Sequence, residues 1–354
     1  GLSRMKTETY YESQKKKKAK QLNALLKELP IFCTDYFSHI DQNTSINTQV
    51  AYADNIILFF EFLIKENPLY KDKLPREIKL QDICQLSAPD IEEYKRYLKV
   101  YEKDGHELTN AEKSIARKMS ALRGLFNFLY RREMIPSNPT NFVDMPKLHE
   151  KEIIRLDPDE VAILLDFVEN GGEQMTKRQQ VYHEKNKTRD LALFTLFLGT
   201  GIRVSECVGL DIDDVDFKNN SIKVTRKGGN EMYVYFGDEV QEALEDYIVS
   251  VRSHIVPVEG HENALFYSSQ RKRITVRAVQ NLVSKYTSYI TNKHITPHKF
   301  RSTYGTTLYK ETGDIYLVAD VLGHKDVNTT RKHYAAQDDE NRRKAARAVT
   351  LREK

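Results

Sequence analysis

Short segments in the second half of this 354-residue chain carry basic side chains that could act on a phosphate. In the first segment, residues 200–206, a helix end punctuated by glycine places Arg203 at the start of a new helical segment, with Glu206 one turn further on. An arginine paired with a carboxylate three residues later is often only a structural ion pair. The pair therefore gains a functional interpretation only from the segments that follow it.

The second segment, residues 225–229, places Lys227 in a predicted turn between two strands. A lysine in a hairpin turn is usually a solvated surface charge. Its functional interpretation is a mobile proton donor, because a compact ammonium on a flexible stem can reach a leaving oxygen and give up a proton.

Histidines and a second arginine follow further along the chain. Pro297 fits the first turn of a helix, so His298 and Arg301, at positions i and i+3, share one helix face. A guanidinium can bind phosphate through two hydrogen bonds, and an imidazole can transfer a proton near neutral pH. His324 follows a glycine turn and presents a second imidazole.

Tyr334 comes after all of these residues. One tyrosine among the 20 in the chain indicates nothing by itself. Phosphoryl transfer, however, requires cationic donors around the phosphate and a nucleophile in line with the leaving oxygen. The order arginine, lysine, histidine, arginine, histidine, tyrosine therefore predicts Tyr334 as the nucleophile.

These motifs resemble those of a known family. The runs TGIRVSE, RKGG, HKFRST and LGHKDVNTT, followed by a tyrosine, are similar to the signature of the tyrosine recombinase (phage integrase) family across residues 200–334. The TRKGG hairpin and the TPHK run most resemble Xer-type enzymes. The first half is similar to the family's helical core-binding domain, through less specific amphipathic helices. The resemblance implies a site-specific recombinase that cleaves and rejoins DNA strands without a metal or other cofactor.

The resemblance also implies a role for each basic residue of the site. Arg203 and Arg301 would hold the nonbridging oxygens of the scissile phosphate. His324 would donate a further hydrogen bond to the phosphate. Lys227 would protonate the leaving 5′ oxygen.

The nucleophile and its helpers follow from the same resemblance. Tyr334 would form a 3′-phosphotyrosine, His298 would assist proton transfer at the tyrosine oxygen, and Glu206 would orient the first arginine. Two features depart from the family pattern. Ser302 stands where many relatives have histidine or arginine, and the interval before Tyr334 is at the long end of the expected range. His333, next to the nucleophile, is expected to face outward.

The elements that position these residues are predicted to be mainly α-helical. We expect an N-terminal helical core-binding (SAM-like) domain at 25–147, a linker at 148–156, and a catalytic domain at 157–336. The catalytic domain is expected to be mixed α/β, with a small three-stranded antiparallel sheet. Residues 1–24 are interpreted as a cloning remnant followed by a basic N-terminal arm. Residues 337–354 would form a C-terminal tail or helix that docks on a neighbouring subunit.

The same pattern gives more local expectations. Residues up to about Lys20 are interpreted as a solvated, partly disordered tail, because they are rich in lysine and lack an apolar stripe. The chain is expected to be helical throughout 25–145, and to form a loop or insertion at 171–187. It is also expected to return to helix after Asp238 and to stay helical to the end. Three short strands are predicted at 215–217, 222–225 and 232–236.

Composition limits the class of protein. With 40% hydrophobic and 30% charged residues, the chain is typical of a soluble globular protein of more than one domain. No apolar run is long enough to cross a bilayer, so no membrane partner is expected. The three cysteines are far apart in sequence, which fits a reduced cytoplasmic protein. A net charge of +4 is weak evidence for nucleic-acid binding, so the distribution of charge matters more.

Basic residues outside the catalytic set are candidates for DNA contact, although each could equally be a solvated charge. Four of them lie on the helix predicted from about residue 109, and the others lie near the catalytic segments or at the start of a later helix: Lys113, Arg117, Lys118, Arg123, Arg226, Arg271, Arg273, Arg277 and Lys299. The expected partner is double-stranded DNA at recombination sites. The family resemblance implies a homotetramer on two duplexes, with a monomer possible without DNA, and accessory DNA-binding proteins as further possible partners.

Three other interpretations stay open. A zinc site could use His294, His298 and Cys207, but a proline interrupts the histidine pair and no second cysteine is near in sequence. A type IB topoisomerase would use the same residue types to relax DNA. A catalytically silent DNA-binding protein could keep the same fold. Such a protein would have no physical need for the intact catalytic set.

Overall fold

A computed structural model describes residues 8–149, 153–324 and 326–331. The chain divides into two compact units, Gly1–Lys151 and Glu152–Lys354. Both units are mainly helical, and the second contains the small three-stranded antiparallel sheet, so the predicted fold class is confirmed. Within the described residues, no helix combines the length and apolar character that crossing a membrane requires.

The first unit is a helical bundle with one small hairpin. Its elements are α1 Tyr10–Leu26, α2 Ile31–Ile40, α3 Ile46–Glu66, α4 Leu80–Cys84, α5 Ala88–Tyr97, β1 Val100–Lys103, β2 His106–Thr109 and α6 Glu112–Arg131. Helix α3 is central and packs against α1 and α6. Its Phe59 ring contacts Tyr94 and Phe126 edge-on at centroid distances of 5.0 and 6.1 Å. These fully buried rings supply much of the apolar surface that stabilises the unit.

The expectation of a solvated tail up to Lys20 was wrong for the described residues, because α1 is a helix from Tyr10 onwards. Thr9 and Glu12 form a capping box, in which Glu12 N donates to Thr9 Oγ1 at 3.2 Å and Thr9 N donates to Glu12 Oε2 at 3.1 Å. Leu22 is buried in the core of the unit. The lysines lie on the exposed face of the helix, where lysine is a good helix former.

The first unit is also not helical throughout, because β1 and β2 form an antiparallel hairpin with Lys103 paired to His106. The turn residues Asp104 and Gly105 both have positive φ, 53° and 77°. An Asp-Gly pair is a strong signal for this kind of two-residue turn. The signal was present in the sequence, but the strands on either side are too short and too exposed to show a clear alternation.

The second unit contains one long helix whose C-terminal half is buried. Its elements are α7 Pro158–Asn170, α8 Lys177–Thr200, α9 Val204–Val208, β3 Val215–Asp216, β4 Ser221–Thr225, β5 Glu231–Tyr235, α10 Asp238–Ser250, α11 Val276–Ser288, α12 Pro297–Thr312 and α13 Ile315–Leu322. Helix α8 packs against α7, α10 and α12. Residues 327–331 are again helical.

The sheet is an antiparallel meander in the order β3, β4, β5. Ile222 pairs with Val215 on one side and with Val234 on the other. The strands lie within one residue of the predicted positions. Ile222 and Val224 are fully buried, so one face of β4 packs on the helices and fixes the direction in which the β4–β5 turn projects.

The loop expected at 171–187 was wrong beyond residue 176, because α8 begins at Lys177 after a capping box formed by Thr176 and Gln179. The first half of α8 buries only His183 and Asn186, so it shows no apolar stripe, and polar side chains are also buried just past its midpoint. Asp190 is fully buried; its Oδ1 accepts from Arg189 Nε at 3.1 Å and from Nη2 at 2.8 Å, and its Oδ2 accepts from Tyr286 Oη at 2.6 Å. Buried positions of α8 thus hold polar side chains that hydrogen-bond to each other, whereas an amphipathic pattern would place apolar side chains there.

The expectation of continuous helix after Asp238 was also wrong. After α10 and a short 3-10 helix at Arg252–His254, residues 255–275 form turns and two isolated bridges, Asp211 to Ala264 and Tyr267 to Arg273. Apolar residues 264–267 are buried there without belonging to a helix or strand. A short apolar run in the sequence does not by itself show whether the segment is a helix, a strand or irregular chain.

Candidate active site

The first arginine of the predicted site begins a short helix. Helix α8 ends at Thr200, and Gly201 follows in the left-handed region with φ 70°. Arg203 is then the N-cap residue of α9, and Glu206 occupies the third helical position. Glu206 Oε1 accepts from Arg203 N at 3.0 Å, and its Oε2 accepts from Arg203 Nη1 at 3.3 Å. The glutamate therefore binds both the backbone and the guanidinium of Arg203.

The second arginine connects distant parts of the unit. Arg301 lies on α12, where Pro297 takes the first turn as predicted, and its side chain is buried. Arg301 Nη1 donates to the carbonyl of Gly201 at 2.7 Å, and Nη2 donates to the carbonyl of Leu322. One guanidinium thus joins the segment before Arg203 to the segment before His324.

His298 lies one turn before Arg301 on the same helix and is exposed. The Ser302 hydroxyl donates to the His298 carbonyl at 3.3 Å. This serine, the residue that departs from the family pattern, therefore bonds within its own helix.

His324 follows the end of α13. Gly323 caps the helix with φ 72°, and His324 N donates to the carbonyl of Ala319 at 2.9 Å. The imidazole Nδ1 shares a hydrogen bond of 2.7 Å with Thr330 Oγ1, and Thr330 is fully buried. Sequence reasoning missed Thr330 as a partner of His324, although both lie in the LGHKDVNTT run that carried the resemblance.

Lys227 lies in the predicted turn between β4 and β5, within a 3-10 turn at Lys227–Gly229. Its side chain is exposed, as a mobile proton donor requires. Gly228 and Gly229 both have positive φ, 86° and 82°, so a side chain at either position would strain the turn.

Arg226, predicted as a DNA contact, is instead buried beside Glu206 and the C-terminal end of α13. Its Nη2 donates to the carbonyl of Val321 at 3.1 Å, and its Nε lies 3.8 Å from Glu206 Oε2. Burial lowers the pKa of Arg226, Glu206 opposes that shift, and Arg203 adds to it. Asp320 also opposes the shift, and the Arg301 guanidinium binds the carbonyl next to the one that Arg226 binds. Guanidinium groups gathered in this way suit a phosphate.

The other predicted DNA contacts are divided between the two units. In the first unit, Lys113 and Arg117 are exposed on α6. Burial lowers the pKa of Lys118, and the positive charges of Arg117 and Lys103 lower it further. Arg123 instead donates to the carbonyls of residues 140 and 143, at 3.4 and 2.8 Å. Its guanidinium thus stabilises the chain after α6.

In the second unit, Arg271 and Arg277 are exposed, and Arg277 lies in the first turn of α11. Arg273 donates to the carbonyl oxygens of residues 208 and 210 and forms an ion pair with Asp211. Lys299 Nζ donates to the carbonyl of residue 294 at 3.0 Å. Arg273 therefore stabilises the fold around α9, whereas Arg277 keeps the exposure that a DNA contact requires.

Some predicted residues lie outside the described part of the chain. These are the nucleophile Tyr334, its neighbour His333 and the C-terminal segment 337–354. Of the zinc alternative, Cys207 is buried, and burial raises the pKa of its thiol. Among the described residues, no three or more His, Cys, Asp or Glu side chains are grouped so that they could hold a metal ion.

The family models of the phage integrase family and of the phage integrase N-terminal SAM-like domain match residues 155–341 and 34–133, respectively. The chain therefore belongs to the phage integrase family. It is 34% identical over 320 residues to a protein named tyrosine recombinase XerC from Caldanaerobacter subterraneus subsp. tengcongensis, covering 88% of this chain and 83% of that protein. A protein of the same name from Listeria welshimeri is 29% identical and covers 83% of this chain and 89% of that one.

Solved structures show the same fold. The Tn1549 transposon integrase in complex with circular intermediate DNA is 22% identical, with a TM-score of 0.62, and covers 86% of this chain and 95% of that one. A lambda integrase dimer bound to a COC′ core site is 15% identical, with a TM-score of 0.58, and covers 86% of this chain and 94% of that one.

Proposed function

We propose that this protein recognises specific DNA sites and cleaves and rejoins their strands through a covalent bond between Tyr334 and the 3′ phosphate. By its family, the chain is a tyrosine-type site-specific recombinase. Neither relaxation of DNA nor a silent binding role is favoured, because the relatives are named recombinases.

The observation that carries the proposal is the position of Arg301. Its guanidinium bonds to Gly201 and to Leu322, so it holds the segments of Arg203 and His324 beside each other. These two segments are separated by about 120 positions in the sequence, and only the fold brings them to one place. Donors fixed in advance around one point stabilise the charge that develops in phosphoryl transfer.

The chemical step follows from this arrangement. The Tyr334 oxygen attacks the scissile phosphorus, and its proton passes to the His298 imidazole. The bond from phosphorus to the 5′ oxygen breaks, and the Lys227 ammonium gives its proton to that oxygen. Arg203, Arg301 and His324 bind the nonbridging oxygens throughout. No proton or electron pair is left unassigned.

The covalent product conserves the energy of the broken bond. A 5′ hydroxyl from another strand can therefore attack the phosphotyrosine and reverse the step, with Lys227 now accepting the proton. Exclusion of water protects the intermediate from hydrolysis. Strand exchange, rather than hydrolysis, is the expected outcome.

Double-stranded DNA at recombination sites is the expected partner, and a homotetramer on two duplexes is the expected assembly. The solved structures named above contain DNA, and one of them contains a dimer on a core site. The exposed basic residues of each unit support DNA contact, in particular Lys113, Arg117, Arg271 and Arg277. Docking of segment 337–354 on a neighbour and a requirement for accessory proteins stay predictions. So does a cytoplasmic location, which the three free cysteines support.

A covalent-adduct assay tests the proposal. A nicked duplex that carries the target site should give a protein–DNA adduct that resists SDS, without added metal and in the presence of a chelator. Tyr334→Phe should abolish the adduct, whereas Tyr235→Phe, at an exposed tyrosine on β5, should not. An adduct that survives Tyr334→Phe or that requires a divalent metal would refute the assignment.

A second experiment separates exchange from relaxation. The substrates are two duplexes of different length, one of them labelled. They should yield recombinant strands, and this yield should rise in proportion to the amount of a complex that contains four protein chains. Relaxation of supercoiled DNA without recombinant products would instead identify a topoisomerase.

A further inference from the structure

Arg226, the residue before Lys227, is buried, whereas a residue that only contacts DNA would be exposed. Arg226 is only 9% exposed, whereas Lys227 is exposed. Arg226 is extended at φ −92° and ψ 175°, and Lys227 begins the 3-10 turn that follows, so the change from a buried to an exposed side chain falls where the chain enters the turn. The chain thus places one basic side chain inward and the next one outward, at the tip that carries the proton donor.

The tip has few other attachments to the unit. Within the described residues, Lys227 has no hydrogen bond or ion pair, and a β-carbon added at Gly228 would meet no atom within 4 Å. The turn is closed internally by Arg226 N, which donates to Asn230 O at 2.7 Å, and by Gly229 N, which donates to Arg226 O at 3.0 Å. These bonds set the shape of the turn, but they do not attach it to the catalytic segments.

The Arg226 side chain makes that attachment. Its Nη2 binds the Val321 carbonyl at the C-terminal end of α13, next to the Leu322 carbonyl that Arg301 binds. Helix C-terminal carbonyls lack intrahelical partners and carry partial negative charge, so two guanidinium groups from elsewhere satisfy them. The other side of the Arg226 group faces Glu206, which also holds Arg203.

Gly323 provides the space for this contact. A β-carbon at position 323 would overlap Arg226 Nη1 and would lie 2.8 Å from its Cζ. The guanidinium therefore packs directly on the backbone that leads to His324. Its Nε and Nη1 are buried, and neither has a hydrogen-bond partner among the described residues. Two buried N–H groups without a hydrogen bond are costly to the fold even with the Glu206 carboxylate 3.8 Å from Nε, which points to a functional reason for the residue.

We infer that Arg226 is a positioning residue that fixes the β4–β5 tip against Glu206 and the end of α13, so that Lys227 reaches the leaving 5′ oxygen. The inference rests on the proposed function, in which Lys227 is the proton donor. It assigns Arg226 to proton delivery instead of DNA affinity.

A change of leaving group tests this role. Two nicked duplexes would be compared, one with an ordinary phosphate and one with sulfur in place of the bridging 5′ oxygen. The sulfur substrate does not need a proton donor, because a thiolate leaves without being protonated. Cleavage of the ordinary substrate by Arg226→Ala should be about 100-fold slower than wild type, at the low end of the loss expected for a general acid. On the sulfur substrate, Arg226→Ala and Lys227→Ala should both return to about the wild-type rate, whereas Arg301→Ala should stay slow.

Conservative variants distinguish positioning from a general loss of structure. Arg226→Lys keeps the charge but lacks the forked geometry, so it should show a smaller defect that the sulfur substrate also removes. Gly323→Ala should displace Arg226 and reproduce its pattern. Gly313→Ala is the matched control, because Gly313 caps α12 with φ 65° and a β-carbon there would have open space.

The outcomes separate this inference from the proposed function. If Lys227→Ala is rescued by sulfur but Arg226→Ala remains equally slow on both substrates, the positioning role is wrong and the proposed function stands. Normal cleavage of the ordinary substrate by Gly323→Ala would also overturn the positioning role. If Lys227→Ala is not rescued either, both the assignment of the proton donor and the inference built on it fail.

Discussion

Glu206 offers the sharpest test of how the site is organised. Its side chain is 3% exposed, and its Oε2 holds Arg203 Nη1 at 3.3 Å and lies 3.8 Å from Arg226 Nε. In Glu206→Gln, the amide oxygen can still accept from Arg203 N, so the start of α9 should survive. The substitution removes the negative charge and turns an amide donor toward two guanidinium groups.

The size of the effect follows from these contacts. A hydrogen bond to a charged group contributes about 1.5–3 kcal/mol. Glu206→Gln should cost one such bond, because the Arg226 guanidinium is beyond hydrogen-bond distance of Glu206. Solvent also screens the interaction with Arg203, whose side chain is 39% exposed. If this energy orients Arg203 for the transition state, cleavage should slow by about 10- to 150-fold, at about 1.36 kcal/mol for each factor of ten. Noncovalent DNA binding should be no weaker, because a negative charge near the phosphate has been removed.

The assay is single-turnover cleavage of a nicked substrate at saturating protein, together with DNA binding measured for the same preparations. Glu160→Gln is the matched control, because Glu160 occupies the same capping position on α7 and pairs with Lys293 at 2.6 Å. It should cleave at the wild-type rate and lose less than about 1 kcal/mol of unfolding free energy. Unchanged cleavage by Glu206→Gln, or a loss of DNA binding as large as the loss of cleavage, would refute the reasoning.

Three further substitutions test other parts of the structure. Tyr286→Phe removes the donor to buried Asp190, so the free energy of unfolding measured with urea should fall by about 1.5–3 kcal/mol; an unchanged midpoint would contradict the pairing. Thr330→Val removes the partner of His324 Nδ1 and should slow cleavage about two- to tenfold, whereas Thr330→Ser should cleave normally; equal rates for both variants would exclude an orienting role. Lys113→Gln should reduce the slope of log affinity against log salt by about one, and an unchanged slope would show that this lysine makes no phosphate contact.

Much of the fold could be predicted from local pattern. The glycine-terminated helix before Arg203, the proline at the start of α12 and the three short strands all follow from signals within a few residues. The errors arose where signals conflict. Polar residues occupy buried positions on α8, so its first half shows no apolar stripe, and the lysine-rich surface of α1 hid a helix that a capping box begins.

The candidate site was predictable as a set of residue types, but not as a set of contacts. Arg226 and Arg273 look like surface charges in the sequence, since each lies in a basic run beside other exposed positions. The structure buries Arg226 against Glu206 and gives Arg273 an ion pair with Asp211. Thr330 shows no chemical signal of its own, because a threonine becomes a partner of histidine only when a turn brings the two together.

The sequence by itself determined which side chains are available for phosphate chemistry and in what order they occur, because residue type and spacing are properties of the chain. Only the tertiary structure decided which arginines come together around Glu206 and the end of α13 and which stabilise other parts of the protein. Arg301 donates hydrogen bonds to segments about 100 and about 20 residues away. Contacts between such distant segments depend on how the helices pack, and no local pattern in the sequence encodes that packing.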